Sequence, residues 1–432
     1  MQTSLWGISS KAKQDKKYRF GNLYGMIDKI ALYQAWKDIS KNAAAGIDRE
    51  TAETFKENLD ANLEELLAEL KEKRYKAKLV KRVNIPKGNG KTRPLGITVL
   101  RDKIVQRATA SILEAIYEED FLECSYGYRP GLGAQKAAKD LARELMWKYN
   151  YVVEADISNY FNTINHEWLM KMLKLRIKDK TFLKLINKWL KAGIMDTTGK
   201  VINPTNGCPQ GSVISPILAN IYLHYALDLW FEKIVKSNSE GEAYICRMAD
   251  DFVCSFKNKR DAEKFYRTLR KRLGKFELEL AEDKTKIIRF SRYRENDKSS
   301  FEFLGFEYRW KRSRKGKDYV ARRTSRNKLR KSISKFKEWC KSKRNKRLRR
   351  LVEMLNAKFR GYFNYYEVIG NIKGICHFYN MAIKILYKWL NRRSQKRSFN
   401  WVEFNEKMGK LGLIKPRITE TRNRQMHIKD FA

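Results

Sequence analysis

The chain has 432 residues, 43% of them hydrophobic, with 92 Lys/Arg against 49 Asp/Glu and a formal net charge of +43. At ~100–200 residues per domain the length allows two or three domains, and the apolar content is too high for a disordered chain. So large a positive charge makes a polyanion the expected partner, while no window approaches about 18 apolar residues and the N-terminus lacks the apolar core of a secretory signal; a membrane protein, a secreted disulfide scaffold and an acidic binding module are excluded.

The first 80 residues read mostly as helix. Residues 52–73 carry Leu59, Leu63, Leu66, Leu67 and Leu70 at helical spacing. VKRVNIPKGNGKTRPLGI then reads as strand, loop, strand, with Gly88-Asn89-Gly90 as the turn between Lys87 and Lys91. Residues 101–118 and 133–148 are expected to be helical. YVVEADI (151–157) is a β-rich run with an acid near its end. Residues 215–235 are expected to be helical. AYICRMADDFVCSF (243–256) reads as two short apolar strands around Ala249-Asp250-Asp251. The stretch 326–397 is basic and helical, with Phe336, Trp339, Leu348, Leu351 and Leu355 as apolar positions. Charge is uneven: residues 306–432 hold 37 Lys/Arg against 9 Asp/Glu. That asymmetry predicts a boundary near residue 306.

Six cysteines (Cys124, Cys208, Cys246, Cys254, Cys340, Cys376) form no C-x₂₋₄-C pair, which argues against structural zinc and suits a reducing cytoplasm. None of the four histidines lies at ligand spacing from another. Any metal chemistry must therefore run on carboxylates. Asp156 ends one apolar strand, and Asp250 and Asp251 sit between two more. Desolvating carboxylates is costly and adjacent ones repel. A divalent cation resolves both problems, and oxygen ligands suit Mg²⁺. A solvated Asp-Asp turn is the plain alternative, and composition does not choose between them.

The order of motifs does. AAGIDRETAETF (44–55), NIPKGNGKTRPLGI (84–97), SYGYRPGLGAQKA (125–137), EADISNYFNTINHEWL (154–169), GCPQGSVISPILANIYLHYALD (207–228), RMADDFV (247–253), LELAEDKTKI (278–287), FEFLGFEY (301–308) and LNAKFRGYFNYY (355–366) follow one another. In this order the chain resembles the reverse transcriptases encoded by bacterial group II introns, the intron-encoded proteins or maturases. The resemblance implies an α+β right-hand polymerase: fingers and a palm with an antiparallel sheet, then an α-helical thumb or maturase domain. It divides the chain into 1–80 (N-terminal extension and start of the fingers), 81–305 (fingers and palm), 306–395 (thumb/maturase) and 396–432 (a short basic DNA-binding-like tail).

By the same resemblance, Asp156, Asp250 and Asp251 are the catalytic aspartates holding two Mg²⁺ ions, with the backbone carbonyl of Ile157 as a further ligand. Phe161 stands at the steric-gate position, against the sugar of the incoming dNTP; a core Phe is the alternative. Lys87 and Arg93 match residues gripping the triphosphate, and Gln210 one contacting the incoming nucleotide. Lys284 matches a lysine near the active site; a surface lysine is the alternative. Met248 replaces the family's usual tyrosine before Ala-Asp-Asp; its thioether packs less rigidly than an aromatic ring. Residues 309–350 hold 21 Lys/Arg, interleaved with Trp310, Phe336 and Trp339 and followed by Phe359, Tyr362, Phe363, Tyr365 and Tyr366. Such charge tracks phosphates, and such aromatics either stack on bases or form the thumb core.

The implied activity is RNA-directed DNA synthesis from a DNA primer on an RNA template, with binding of group II intron RNA for splicing and of target DNA for retrohoming, in a bacterial cytoplasm. No Cys/His-rich endonuclease pattern is present in the C-terminal part. Reassignment of such an enzyme to defence, CRISPR spacer acquisition or DNA repair is one alternative. A splicing cofactor without polymerase activity is another, which the intact aspartates disfavour.

Overall fold

The computed structural model describes residues 4–88, 91–293, 299–313, 315–393, 395 and 398–418. Eleven strands occur among the described residues: β1 (Val80–Gly88), β2 (Lys91–Ile97), β3 (Tyr151–Asp156), β4 (Ile194–Met195), β5 (Val201–Ile202), β6 (Ala243–Met248), β7 (Asp251–Phe256), β8 (Lys286–Arg289), β9 (Ser300–Phe303), β10 (Phe306–Arg312) and β11 (Asp318–Thr324). They make three sheets, ordered β2-β1-β4-β5, β6-β7-β3-β8 and β11-β10-β9. The rest is mainly helical, giving the expected α+β class. No described helix is long and apolar enough to cross a membrane.

The chain divides into two compact units. The first comprises Met1–Gly133, Ala155–Cys254 and Arg260–Lys286. Its spine is the helix Leu100–Tyr117, which buries Ile104, Val105, Ala108, Ile112, Leu113 and Ile116. Arg176 is buried, pairs with Asp120 at 2.9 Å and donates to the carbonyls of Asp15 and Tyr18 at 3.0 and 3.1 Å. A buried guanidinium needs all those partners, and meeting them pins the segment after the helix Leu5–Gln14. The single helix expected over 52–73 is broken at Asn58 into Ala52–Glu57 and Leu59–Lys71. The Asn62 amide meets the carbonyl of Phe55 (3.0 Å), and Leu63, Leu66 and Leu70 remain the buried stripe.

The expected hairpin forms from β1 and β2, antiparallel, with a register shift between Pro86 and Gly88. The expected helix over 215–235 is α-helical only over Ser215–Leu223, then π-helical over His224–Asp228 and Phe231–Val235. His224 is buried there, and burial drives its imidazole down to about 4. An unfolded His titrates near 6.5, so stability is full above that pH and is lost as pH falls towards 4. His224→Phe is expected to flatten that loss, by ~3 kcal/mol at most near pH 4. Denaturant unfolding of both proteins at pH 7 and pH 5 measures it. Asp102, lifted by burial to about 6, acts in the opposite sense, so the comparison is made between the two proteins at each pH.

The second unit comprises Ala134–Glu154, Ser255–Lys259 and Ile287–Ala432. The charge step at 306 falls on the first residue of β10. There Leu304 and Gly305, both at positive φ, turn the chain back from β9. The segment 306–395, expected to be a helical thumb, opens instead with β10 and β11, both at the start of the basic run. Phe306, Tyr308, Val320 and Ala321 are the buried apolar positions of these strands, and Arg322 and Thr324 are buried beside them. The helices Arg326–Lys343, Leu348–Tyr366 and Ile372–Leu390 follow. Leu351, Leu355, Phe359 and Phe363 recur at four-residue spacing and are buried. Phe359 stacks on Phe336 and Phe363 and meets the edge of Phe378. Phe336, Phe359, Phe363 and Tyr366 are therefore core residues. Trp310, Trp339, Tyr362 and Tyr365 are partly exposed.

Candidate active site

The apolar strands β6 and β7 bury Ile245, Cys246, Phe252, Val253 and Cys254. Two residues, Ala249 and Asp250, join them, so the strands are antiparallel by necessity. Ala249 adopts φ +59°. The sheet order sets β3 beside β7, which brings its terminal Asp156 next to this turn. The segment after Leu278 runs along the end of β3: the Ala281 N–H donates to the Asp156 carbonyl (2.9 Å) and the Ser158 N–H to the Glu279 carbonyl (2.8 Å). This contact carries Lys284 onto the carboxylate of Asp156 as an ion pair. The pair holds the Lys284 ammonium above its ordinary range.

Burial pushes the Asp250 carboxyl above the usual carboxylate range, and the negative charge of Asp156 pushes it further; Arg93 and Lys284 oppose the shift. Asp156, Asp250, Lys284 and Arg93 thus share one electrostatic field. Asp251 opens β7 and is exposed. No three His, Cys, Asp or Glu side chains among the described residues form a metal-holding group. The donors brought together are two hard-oxygen carboxylates, both half-buried, and that of Asp250 is raised by burial and by its neighbour. That fits Mg²⁺, which is usually held through one or two carboxylates and completed by waters and substrate phosphates.

The other expected residues lie on two backbones tied to each other. Arg93 on β2 donates through Nε to Oε1 of Gln210 at 2.7 Å. Gln210 is placed by a close approach: the Gly96 N–H donates to its carbonyl at 2.6 Å. Gly211, at φ +107°, leaves no room for a Cβ, which would lie 2.7 Å from the Gly96 carbonyl oxygen. The same loop returns to Phe161, whose carbonyl accepts from the Cys208 N–H (2.7 Å). Phe161 is buried with its ring edge-on to Tyr160. Ile157 is buried and bridges to Leu280. Met248 ends β6, half-buried. Lys87 lies in β1, but its side chain is outside the described residues.

Three residues of this region escaped the sequence reading. Tyr128, 52% exposed and at φ +58°, has its phenol under the influence of both Asp250 and Arg93. Its signal was its place in the Tyr126-Gly127-Tyr128 block. Arg247 and Asp228 form an ion pair whose side chains are 0% exposed. They are 19 positions apart, and neither stands out from its motif.

A sequence model described as reverse transcriptase (RNA-dependent DNA polymerase) matches residues 85–308, and one described as the group II intron maturase-specific domain matches 329–404. Protein YkfC of Escherichia coli (strain K12) is 37% identical over 302 residues, covering 63% of this chain and 77% of that protein. The group II intron-encoded protein LtrA of Lactococcus lactis subsp. cremoris is 28% identical over 459 residues, covering 86% of this chain and 74% of its own. A telomerase structure from Candida albicans aligns over 79% of this chain and 60% of that chain at 12% identity, with a TM-score of 0.47, too low for the fold to rest on it. The chain belongs to the reverse transcriptase family, whose members are RNA-directed DNA polymerases using divalent metal ions, and it carries a group II intron maturase-specific domain.

Proposed function

We propose that this enzyme copies RNA into DNA by two-metal nucleotidyl transfer and binds its parent group II intron RNA to assist splicing and retrohoming, in a bacterial cytoplasm. The observation that carries the reading is the Asp156–Asp250 pair at adjoining strand ends, in the field of Arg93, which is bonded to Gln210. Asp156, Asp250 and Asp251, with the Ile157 carbonyl, would hold two Mg²⁺ ions. Bound metal would activate the primer 3′-OH and neutralise the pyrophosphate leaving group.

The protein's own groups then have separate tasks. Asp250 must be ionised to serve; burial and the charge of Asp156 oppose its ionisation, and a bound cation would favour it. Arg93 and Lys87 grip the triphosphate, and Gln210 orients both Arg93 and the nucleotide. Lys284 tempers the charge on Asp156. The division 1–80, 81–305, 306–395 and 396–432 is retained as a reading of motif and charge, in which 306–395 grips the template–primer duplex and the intron RNA. Within the last segment, residues 396, 397 and 419–432 lie outside the described residues.

The test is primer extension on an RNA template with Mg²⁺ and dNTPs. Extension is expected. RNA binding without extension would favour the splicing-cofactor reading. Two variants refine it. If Phe161 walls the sugar site, Phe161→Val should raise ribonucleotide use relative to deoxyribonucleotide by ~10–100-fold, the range for losing one apolar contact. Single-nucleotide incorporation with each sugar measures it, and unchanged discrimination would leave Phe161 a core residue. Met248→Tyr places a stiffer ring beside the aspartates. It should lower misincorporation and lengthen extension products by ~2–10-fold, the worth of one aromatic contact. No change in either property would remove Met248 from the account.

A further inference from the structure

The buried ion pair beneath the catalytic turn is unlike an ordinary structural salt bridge. Arg247 donates through Nε to Oδ1 of Asp228 (2.7 Å) and through Nη2 to Oδ2 (2.5 Å). Its remaining donors are also engaged. Nη2 reaches the Ser125 hydroxyl (2.7 Å), and Nη1 reaches Oδ1 of Asn220 and the carbonyl of Ala249, both at 3.1 Å. Asn220 in turn donates to the Gly127 carbonyl at 2.6 Å. The backbone of Arg247 is held as well, by the Cys124 carbonyl (2.8 Å) and the Tyr126 N–H (2.9 Å). Gly127 presses so close to the turn that a Cβ there would lie 2.4 Å from the Ala249 nitrogen. Asp228 closes the π-helical stretch His224–Asp228, an irregularity often found at functional sites.

The turn itself is uncomfortable. Of its two central residues only Ala249 has positive φ, the pattern of a type II′ hairpin turn, where Gly is the usual occupant. A side chain in that conformation persists only where its surroundings over-determine it. The guanidinium that bonds the Ala249 carbonyl supplies that determination. Stability does not account for the arrangement, because a buried ion pair gains little over an apolar replacement.

We propose that Arg247, fixed by Asp228, Asn220 and Ser125, is a positioning residue that locks Ala249 in the left-handed conformation and thereby holds the Asp250 carboxylate in its catalytic place. This inference rests on the polymerase reading above. It predicts a loss in the chemical step rather than in binding. A catalytic group displaced by ~1 Å loses about 10²-fold in rate. It also predicts that the need for Arg247 depends on residue 249, because Gly adopts positive φ unaided.

The experiment is single-nucleotide incorporation at saturating primer–template by the full chain and four variants: Arg247→Lys, Ala249→Gly, the double variant, and Asn220→Ala. Circular dichroism and RNA affinity are read in parallel. Arg247→Lys should lower the maximal rate ~10²-fold, with the KM for dNTP and RNA affinity each within ~3-fold. In the Ala249→Gly background the same substitution should lose only ~10-fold, a coupling that a merely structural role would not produce. If Arg247→Lys fails to fold, Asn220→Ala, which removes one arm of the fork, carries the test with an expected ~10-fold loss of rate at unchanged KM. Rates independent of Arg247 and Asn220, equal losses in both backgrounds, or losses confined to KM would overturn the inference. Absence of incorporation by the natural chain would instead overturn the polymerase reading and the inference with it.

Discussion

Asp250→Asn is expected to lower the rate of nucleotide addition by ~10³-fold or more while changing RNA affinity less than ~2-fold, since transition-state charge stabilisation is lost and the binding surface is not. The substitution keeps shape and removes only charge. Asp250 is half-buried, and burial has already raised its carboxyl. Its protonation therefore comes at a higher pH than that of an exposed aspartate. Protons and metal compete for this carboxylate, so activity should decline on the acid side as pH falls, and a higher Mg²⁺ concentration should move that decline to lower pH. Asp251 is exposed, so Asp251→Asn should lose less. Rapid-quench single-nucleotide incorporation separates the two variants, and filter binding checks RNA affinity. Equal losses for both would mean that burial does not rank these carboxylates.

RNA affinity of the natural chain is expected to fall ~10³–10⁵-fold between 50 and 200 mM salt, if ~6–10 phosphates are neutralised. The helices of the second unit explain why charge should dominate. Phe336, Phe359 and Phe363 are spent on the core and cannot stack on bases. Lys328, Arg330, Lys331, Lys335, Lys337 and Lys341 of the helix Arg326–Lys343 are exposed. Changing Lys335, Lys337 and Lys341 to Gln should reduce the slope of log affinity against log salt by about one for each phosphate that a lysine no longer neutralises. A slope near zero in the natural chain would mean that its charge is not used on RNA.

Much of this arrangement was legible in the sequence because it is local. The hairpin β6–β7 declares itself by apolar runs on both sides of two acids, and the β1–β2 hairpin by the sequence Gly-Asn-Gly between two β-rich runs, of which Asn89 and Gly90 lie outside the described residues. What escaped depends on contacts between distant segments or on charge hiding a pattern. β10 alternates Phe306, Tyr308 and Trp310 with Glu307, Arg309 and Lys311, a period of two submerged in a basic run. Asn58 interrupts a helix whose leucines keep their spacing across the break. The first π-helical turn, His224–Asp228, leaves no mark on periodicity because the helix is buried nearly all round from Ser215 to Asp228. Arg247 and Asp228 read as motif neighbours of more conspicuous residues, and only folding brings their side chains together. The ordered motifs carried the functional residues, but not the reason why the turn bearing Asp250 holds its shape.

The most direct test is a count of bound metal. Mn²⁺ binding, followed by electron paramagnetic resonance, would be measured on the full chain with an RNA template, a 3′-deoxy-terminated primer and the next dNTP. The account predicts two ions per chain in this complex, lost when Asp250 is replaced by Ala although RNA remains bound. Metal binding that is unchanged by Asp250→Ala would contradict it.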